Sequence, residues 1–232
     1  MCAKLARRAS VRSMPRQAAT RDYGGVSASA RQADRRRKLL EAGRQLWGGS
    51  GLGEVTVRRV SARSQLATRY FYEEFPDRDA LLVAIAEQVR DELIDVLVAA
   101  GLSEPGDIED RLRAALTAFL DRITDEPDLR RVFTDVMTGT GPLGELRRQT
   151  LDLITALVLE HGPALLDFTP PRPAEMRRGA TYLVGGVTHL IDTWALDPHE
   201  STTELADICA KYSLAVIRTT PSRPTSTVYR RR

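Results

Sequence analysis

Apolar residues begin to recur at helical spacing from about Asp34. Leu39, Leu40, Ala42, Leu46 and Trp47 fall on one broad face, and Gly48, Gly49 and Gly51 close the pattern as a helix end. A short helix is predicted from about Val57 to Arg63. Thr56 stands before it, with a hydroxyl able to accept one of the orphaned backbone N–H groups. A third, aromatic-rich helix covers about Ala67 to Phe75, where Pro76 stops it and Asp77 is available to cap the next.

The fourth helix is long, from about Asp79 to Ala99, with Leu82, Ile85, Val89, Leu93 and Val96 three and four apart. The same period returns in Ile108, Leu112, Leu116, Phe119 and Ile123, and again in Leu146, Leu153, Ile154 and Leu157. It returns twice more near the C-terminus, in Leu183, Val187, Leu190 and Trp194, then in Leu205, Ile208, Tyr212 and Val216. No segment alternates with a period of two between hairpin turns, so the fold class is all-α. Residues 1–33 lack a hydrophobic period and read as a disordered basic arm, residues 34–78 as a three-helix head, and residues 79–218 as a helical body. Residues 219–232, rich in Pro, Ser and Arg, read as a disordered tail.

Charge sharpens this division. The chain of 232 residues has a net charge of only +3, yet residues 1–80 hold 17 Lys and Arg against 8 Asp and Glu, leaving the remainder acidic. A basic end on an acidic body suits a polyanionic partner. Cys2 and Cys209 have no partner at metal-ligand or redox-motif spacing, which fits a reducing cytoplasm. The most apolar stretch, Ala180 to Leu196, is interrupted by His189 and Asp192, so no membrane span is expected. The Arg- and Ser-rich start has some character of an organelle transit peptide, but a basic arm better suits the three-helix head beside it.

Three short helices with a tight turn between the second and third make the layout of a helix-turn-helix. At Ser64 to Leu81, SQLATRYFYEEFPDRDAL, the chain resembles the TetR family of bacterial transcriptional regulators. Tyr72 and Phe75 stand at that family's aromatic positions, Arg78 at its usual lysine and Leu81 at the apolar residue after it. Leu39, Ala42, Leu46, Trp47, Gly51, Thr56, Val60 and Ser61 match the core and turn of its first two helices. The strong match covers about 50 residues. Gln65, Ala67 and Arg69 replace the Gly, Ser and Gly often found there, so Gln65 must tolerate the turn's backbone, including φ > 0. Ala67 is a poor N-cap, which leaves the start of the helix to fray or to be held by Ser64.

The resemblance makes the third helix the element that enters the major groove. Leu66, Phe71 and Phe75 are its inward set, with Ala67, Thr68, Arg69 and Tyr70 directed outward. Arg69 has the fork geometry to bond guanine. Tyr72, Arg78 and Thr56 are candidates to bond phosphates, and Arg36, within the run Arg35 to Arg37, to add salt-sensitive affinity. Glu73 and Glu74 repel phosphates, and must face away or meet cytosine amines.

The resemblance further implies a small-molecule effector bound inside the helical body and a homodimer joined through the last two long helices. Pro173 to Leu196, apolar around much of its circumference and containing Gly179, Gly185 and Gly186, suits burial on two sides. Phe119, Phe133, Met137, Tyr182, His189 and Trp194 are the candidate pocket residues, each with plain core packing as its alternative. Gly139, Gly141 and Gly144 spell GxGxxG, but Pro142 lies inside it and no strand precedes it, so it reads as a helix–helix loop. His161, His189 and His199 lack metal-ligand spacing, and no nucleophile or kinase signature appears, so no catalytic residue, metal or cofactor is expected.

The function this supports is a cytoplasmic, sequence-specific regulator of transcription, a ligand-responsive repressor that binds a palindromic operator in double-stranded DNA as a homodimer. Two other readings stay open. A nonspecific architectural DNA-binding protein predicts steep salt dependence without sequence discrimination. A helical enzyme or binding protein with an incidental helix-turn-helix predicts no DNA affinity.

Overall fold

A computed structural model of the chain describes residues 27–165 and 173–219. Among the described residues there are nine α-helices and no strand: α1 Ala28–Ser50, α2 Val57–Ser64, α3 Thr68–Glu74, α4 Arg78–Ser103, α5 Ile108–Asp125, α6 Pro127–Thr138, α7 Gly141–Leu165, α8 Pro173–Leu196 and α9 Thr202–Thr219. A 3-10 turn at Leu52–Glu54 joins α1 to α2. None of these helices is long and apolar enough to cross a membrane.

The helix ends follow the capping chemistry of the sequence. The Thr56 hydroxyl accepts the Arg59 N–H at 3.3 Å, and the Asp77 carboxylate accepts the Ala80 N–H at 2.8 Å. Gly51, at φ 98°, ends α1. The GxGxxG stretch is the junction of α6 and α7, with Gly141 at φ 58°. The start of α1 differs from expectation. It lies at Ala28 instead of Asp34, because the Ser27 hydroxyl accepts the Ala30 N–H at 3.1 Å and caps a turn that has no apolar face of its own. Residues 28–33 are therefore helix and not part of a disordered arm. The rest of that arm and the tail beyond Thr219 lie outside the described residues.

Two apolar clusters hold the fold. The larger gathers the buried faces of α1 to α4 with Ile123, Leu129, Val132, Val136, Leu143 and Leu146, so the head and the start of the body share one core. Trp47, Val60, Phe71 and Ile85 are fully buried in it, each contributing roughly 1.5–3 kcal/mol by leaving water. The smaller joins Leu116 and Leu120 of α5 to Ile191 and Trp194 of α8 and to Leu205 and Cys209 of α9. Phe119 and Phe133 touch both clusters, edge to face, with ring centroids 5.8 Å apart. Burial pushes the Cys209 thiol up to about 11, which suits a packing residue and not a nucleophile.

Polar contacts tie α1 to the body. Arg44 makes a two-pronged ion pair with Glu92 of α4, and the Trp47 indole donates to Asp135 of α6 at 2.7 Å. Arg131 of α6 donates to the Gly48 carbonyl at 2.9 Å. A Cβ at Gly48 would collide with the Asp128 side chain, so only glycine lets α1 and α6 approach so closely here.

Candidate nucleic-acid interface

The turn between α2 and α3 takes the left-handed conformation that the family's usual glycine anticipates, with Gln65 at φ 57° and ψ 31°. The Gln65 N–H donates to the Ala62 carbonyl and the Leu66 N–H to Ser61, which closes α2 and reverses the chain. Ala67 provides no side-chain cap for α3. Ser64 does not replace it, since its hydroxyl donates back to the Ser61 carbonyl at 3.1 Å.

Phe71 and Phe75 are buried and Leu66 packs against the same core, so the inward set of α3 is the one read from the sequence. Opposite them Ala67, Thr68, Arg69, Tyr72 and Glu73 are exposed, and Tyr70 is half-buried. Tyr72 is 58% exposed, its ring standing edge-on to Phe71, which leaves the phenol free to meet a partner. The Arg69 guanidinium lies 4.7 Å from the Tyr70 ring centroid and donates to the Tyr70 hydroxyl at 2.8 Å. That hydroxyl first, and the Glu73 carboxylate at longer range, favour the charged form of Arg69.

Two candidate phosphate contacts also make bonds within the fold. Arg78 donates to the Val55 carbonyl at 2.6 Å and to the Leu52 carbonyl at 2.7 Å, so its fork locks the start of α4 to the loop before α2. Arg36 donates to the Glu74 carbonyl at 3.2 Å and stacks 4.5 Å from the Phe75 ring centroid, bracing the end of α3. Thr56 is exposed at the start of α2, its hydroxyl engaged in the cap.

Residue type alone does not distinguish Arg35 from its neighbours, yet it touches α3 three times. It lies 5.1 Å from the Tyr70 ring centroid, 3.6 Å from the Glu73 carboxylate and 3.7 Å from the Glu74 carboxylate. Glu74 is turned into the α1–α3 seam with only 3% of its side chain exposed, whereas Glu73 remains half exposed. The two adjacent glutamates thus have separate environments. A run of arginines in sequence gives no sign of which one reaches across to α3.

The candidate ligand residues divide as well. Phe133 and Met137 of α6 line a crevice of about 40 Å³ with Thr134, Thr138, Asp192, Ala195 and Leu196. Phe119 backs Phe133, and Trp194 is buried beside them, its indole donating to the Glu200 carbonyl at 2.9 Å. Tyr182 and His189 do not join this group: both are exposed on the outward side of α8, Tyr182 by 70%. Asp192 is the polar residue that takes their place. Arg147 donates to its Oδ2 at 2.9 Å, while its Oδ1 is buried without a hydrogen-bond partner. Burial raises the Asp192 carboxyl above its ordinary value and outweighs the opposing pull of Arg147 and His189. Among the described residues no cluster of His, Cys, Asp and Glu is arranged to hold a metal ion.

Residues 39–85 match the family model of bacterial regulatory proteins of the tetR family. No curated protein sequence matches the chain. Among solved structures, it is similar to a tetR-family transcriptional regulator from Streptomyces coelicolor, with a TM-score of 0.64 and 19% identity over 81% of this chain and 82% of that one. It is also similar to the multidrug binding protein EbrR in complex with imidazole, with a TM-score of 0.61 and 19% identity over 82% and 97% of the two chains. SmeT, the repressor of the Stenotrophomonas maltophilia multidrug efflux pump SmeDEF, gives a TM-score of 0.61 and 17% identity over 78% and 91%.

Proposed function

We propose that this chain, a TetR-type regulator by its DNA-binding segment and its fold, is a ligand-responsive repressor that reads a palindromic operator as a homodimer. The observation that carries the reading is the two-sidedness of α3. Phe71 and Phe75 anchor it in the core while Thr68, Arg69 and Tyr72 stand in solvent, placed to reach base edges and phosphates. Arg35 and Arg36 brace it from α1, so the reading side chains start from a fixed frame.

Dimerisation is supported by the outward side of α8. Tyr182 and Leu196 are 70% and 68% exposed there, and a Cβ added at Gly185 or Gly186 would meet no neighbour within 4 Å. A second copy laid over this side buries the aromatic and lets the two backbones come close. An effector site is supported by the α6–α8 crevice. At about 40 Å³ it has room for no more than a few water molecules, so a larger guest must part α6 from α8. The same α6 holds Trp47 and Gly48 of α1 through Asp135 and Arg131, so parting those helices disturbs the seat of the head. A guest that fits only the parted form shifts the population toward it. The relatives EbrR, described as binding multiple drugs, and SmeT, described as a repressor, accord with this reading.

Fluorescence anisotropy on the DNA flanking the chain's own gene, against a scrambled duplex at about 150 mM salt, tests the reading. Specific binding that Arg69→Ala weakens by on the order of ten- to hundredfold is the expected result. Equal binding to both duplexes, unchanged by that substitution, contradicts it. Light scattering at micromolar concentration should give a dimer mass; a monomer removes the two-headed model.

A further inference from the structure

The charge on α3 is unusual for an element that approaches a polyanion, since its seven residues carry one Arg and two Glu. Glu74 is accounted for, because it is buried in the seam beside Arg35 with Gln32 at 3.5 Å. Glu73 is not. Successive helical residues turn by about 100°, so Arg69 and Glu73, four apart, share the side directly opposite Phe71. They form the outermost edge of the helix. Any duplex that α3 enters must meet the Glu73 carboxylate along with the Arg69 guanidinium.

A carboxylate in the major groove is repelled by phosphates and by the acceptor edges of guanine, thymine and the N7 of adenine. The group it can satisfy without facing an adjacent acceptor on the same base is the N4 amine of cytosine. Arg35 does not consume that capacity. At 3.6 Å its contact with Glu73 is wider than a hydrogen bond, so it steadies the carboxylate and offsets its charge while leaving the oxygens free to accept. Resting on the DNA-reading function above, we infer that Glu73 is a second specificity-determining residue, reading a cytosine in each half-site beside the guanine read by Arg69. Four residues span about 6 Å of helix, so the two base pairs are within about two base steps of each other. Arg35 acts as a positioning residue for Glu73 and Tyr70.

Selection of sites from random duplex DNA, run with the full chain and with its Glu73→Gln and Glu73→Ala variants, tests this. Both substitutions fall on the exposed side and leave the Glu74 contacts in place. The full chain should enrich a C·G pair at one position of each half-site. Glutamine bonds adenine through N6 and N7 together, so Glu73→Gln should convert that one position to A·T and leave the other positions unchanged. Glu73→Ala should lose the preference there while binding all duplexes more tightly at low salt, as one negative charge leaves the phosphates. On isolated duplexes the C·G preference should amount to on the order of ten- to hundredfold for the full chain. The same motif from the full chain and both variants overturns the assignment of Glu73 alone. A full chain that enriches no motif overturns the sequence-reading function and, with it, this assignment.

Discussion

The α1–α3 head and the α6–α8 crevice are both built where helices meet, but their side chains are packed to different degrees. In the head nearly every charged side chain behind α3 has a fixed partner: Arg78 on two carbonyls, Arg36 on the Glu74 carbonyl and the Phe75 ring, Arg35 on Tyr70 and two glutamates. Around the crevice Arg147 likewise holds Asp192, yet the Phe133 ring is only half-buried and Leu196 stands 68% exposed at the mouth. Buried polar atoms without a partner, each costing about 1–3 kcal/mol, occur in both regions: Arg35 Nε, Ser61 Oγ and Glu74 Oε1 in the head, Asp192 Oδ1 and Arg147 Nε at the crevice. The difference lies in apolar packing, complete at Phe71 and Phe75 and open beside Phe133.

The largest test of that contrast compares two aromatic truncations. Phe71→Ala removes a fully buried ring from beneath α3 and should cost about 3–5 kcal/mol in chemical denaturation. Phe133→Ala, on a half-buried ring beside the crevice, should cost clearly less, and equal losses break the comparison. Next in size is Gly48→Ala. Helix propensity alone favours it, but its Cβ would collide with the side chain of Asp128. Forcing α1 from α6 should destabilise by about 1–3 kcal/mol, read as a lowered melting temperature, and a gain in stability would show the seam to be soft.

A smaller effect, of opposite sign, is expected at the turn. Gln65→Gly relieves a left-handed residue, and after the extra chain entropy of glycine it should stabilise by up to about 1 kcal/mol without altering DNA specificity. The smallest effect concerns pH. The Asp192 carboxyl is raised in the folded chain, so the fold holds its proton at a pH where the unfolded chain has released it. This group's contribution therefore falls as pH rises from about 3.8 through its raised folded value, the reverse of an ordinary paired carboxylate. Melting curves of the chain and of Asp192→Asn across that window should converge toward low pH and separate in favour of the amide above it. Separation in the other direction would mean that the Arg147 pair outweighs burial.

The legible parts of the fold are those decided by neighbours in sequence. Thr56, Asp77, Gly51 and Pro76 act within a turn of their own position, and the strain at Gln65 follows from the absence of the usual glycine. Positions decided across the fold are not legible. Arg78 stands at a phosphate-contact place in the motif, while its bonds to carbonyls more than 20 residues earlier are set by the fold. On α8, periodicity marks an apolar helix without saying which side faces its own core, so it groups the exposed Tyr182 and His189 with buried Trp194. The start of α1 escapes periodicity because its first turn is held by a cap, and the turns after it by ion pairs, instead of by burial. The Asp34 carboxylate, held low by Lys38 and Arg37, belongs to that charged stretch.

The unbroken course of α1 has a mechanical consequence. Its 23 residues make a rod about 34 Å long. Trp47 and Gly48 are gripped near one end by α6, and Arg35 grips α3 about 18 Å away along the axis. A tilt of about 6° at the gripped end sweeps the far end through about 2 Å, more than half the rise between stacked bases. The helix is thus a lever with a long arm, and a small tilt at its gripped end is magnified into a much larger shift of α3.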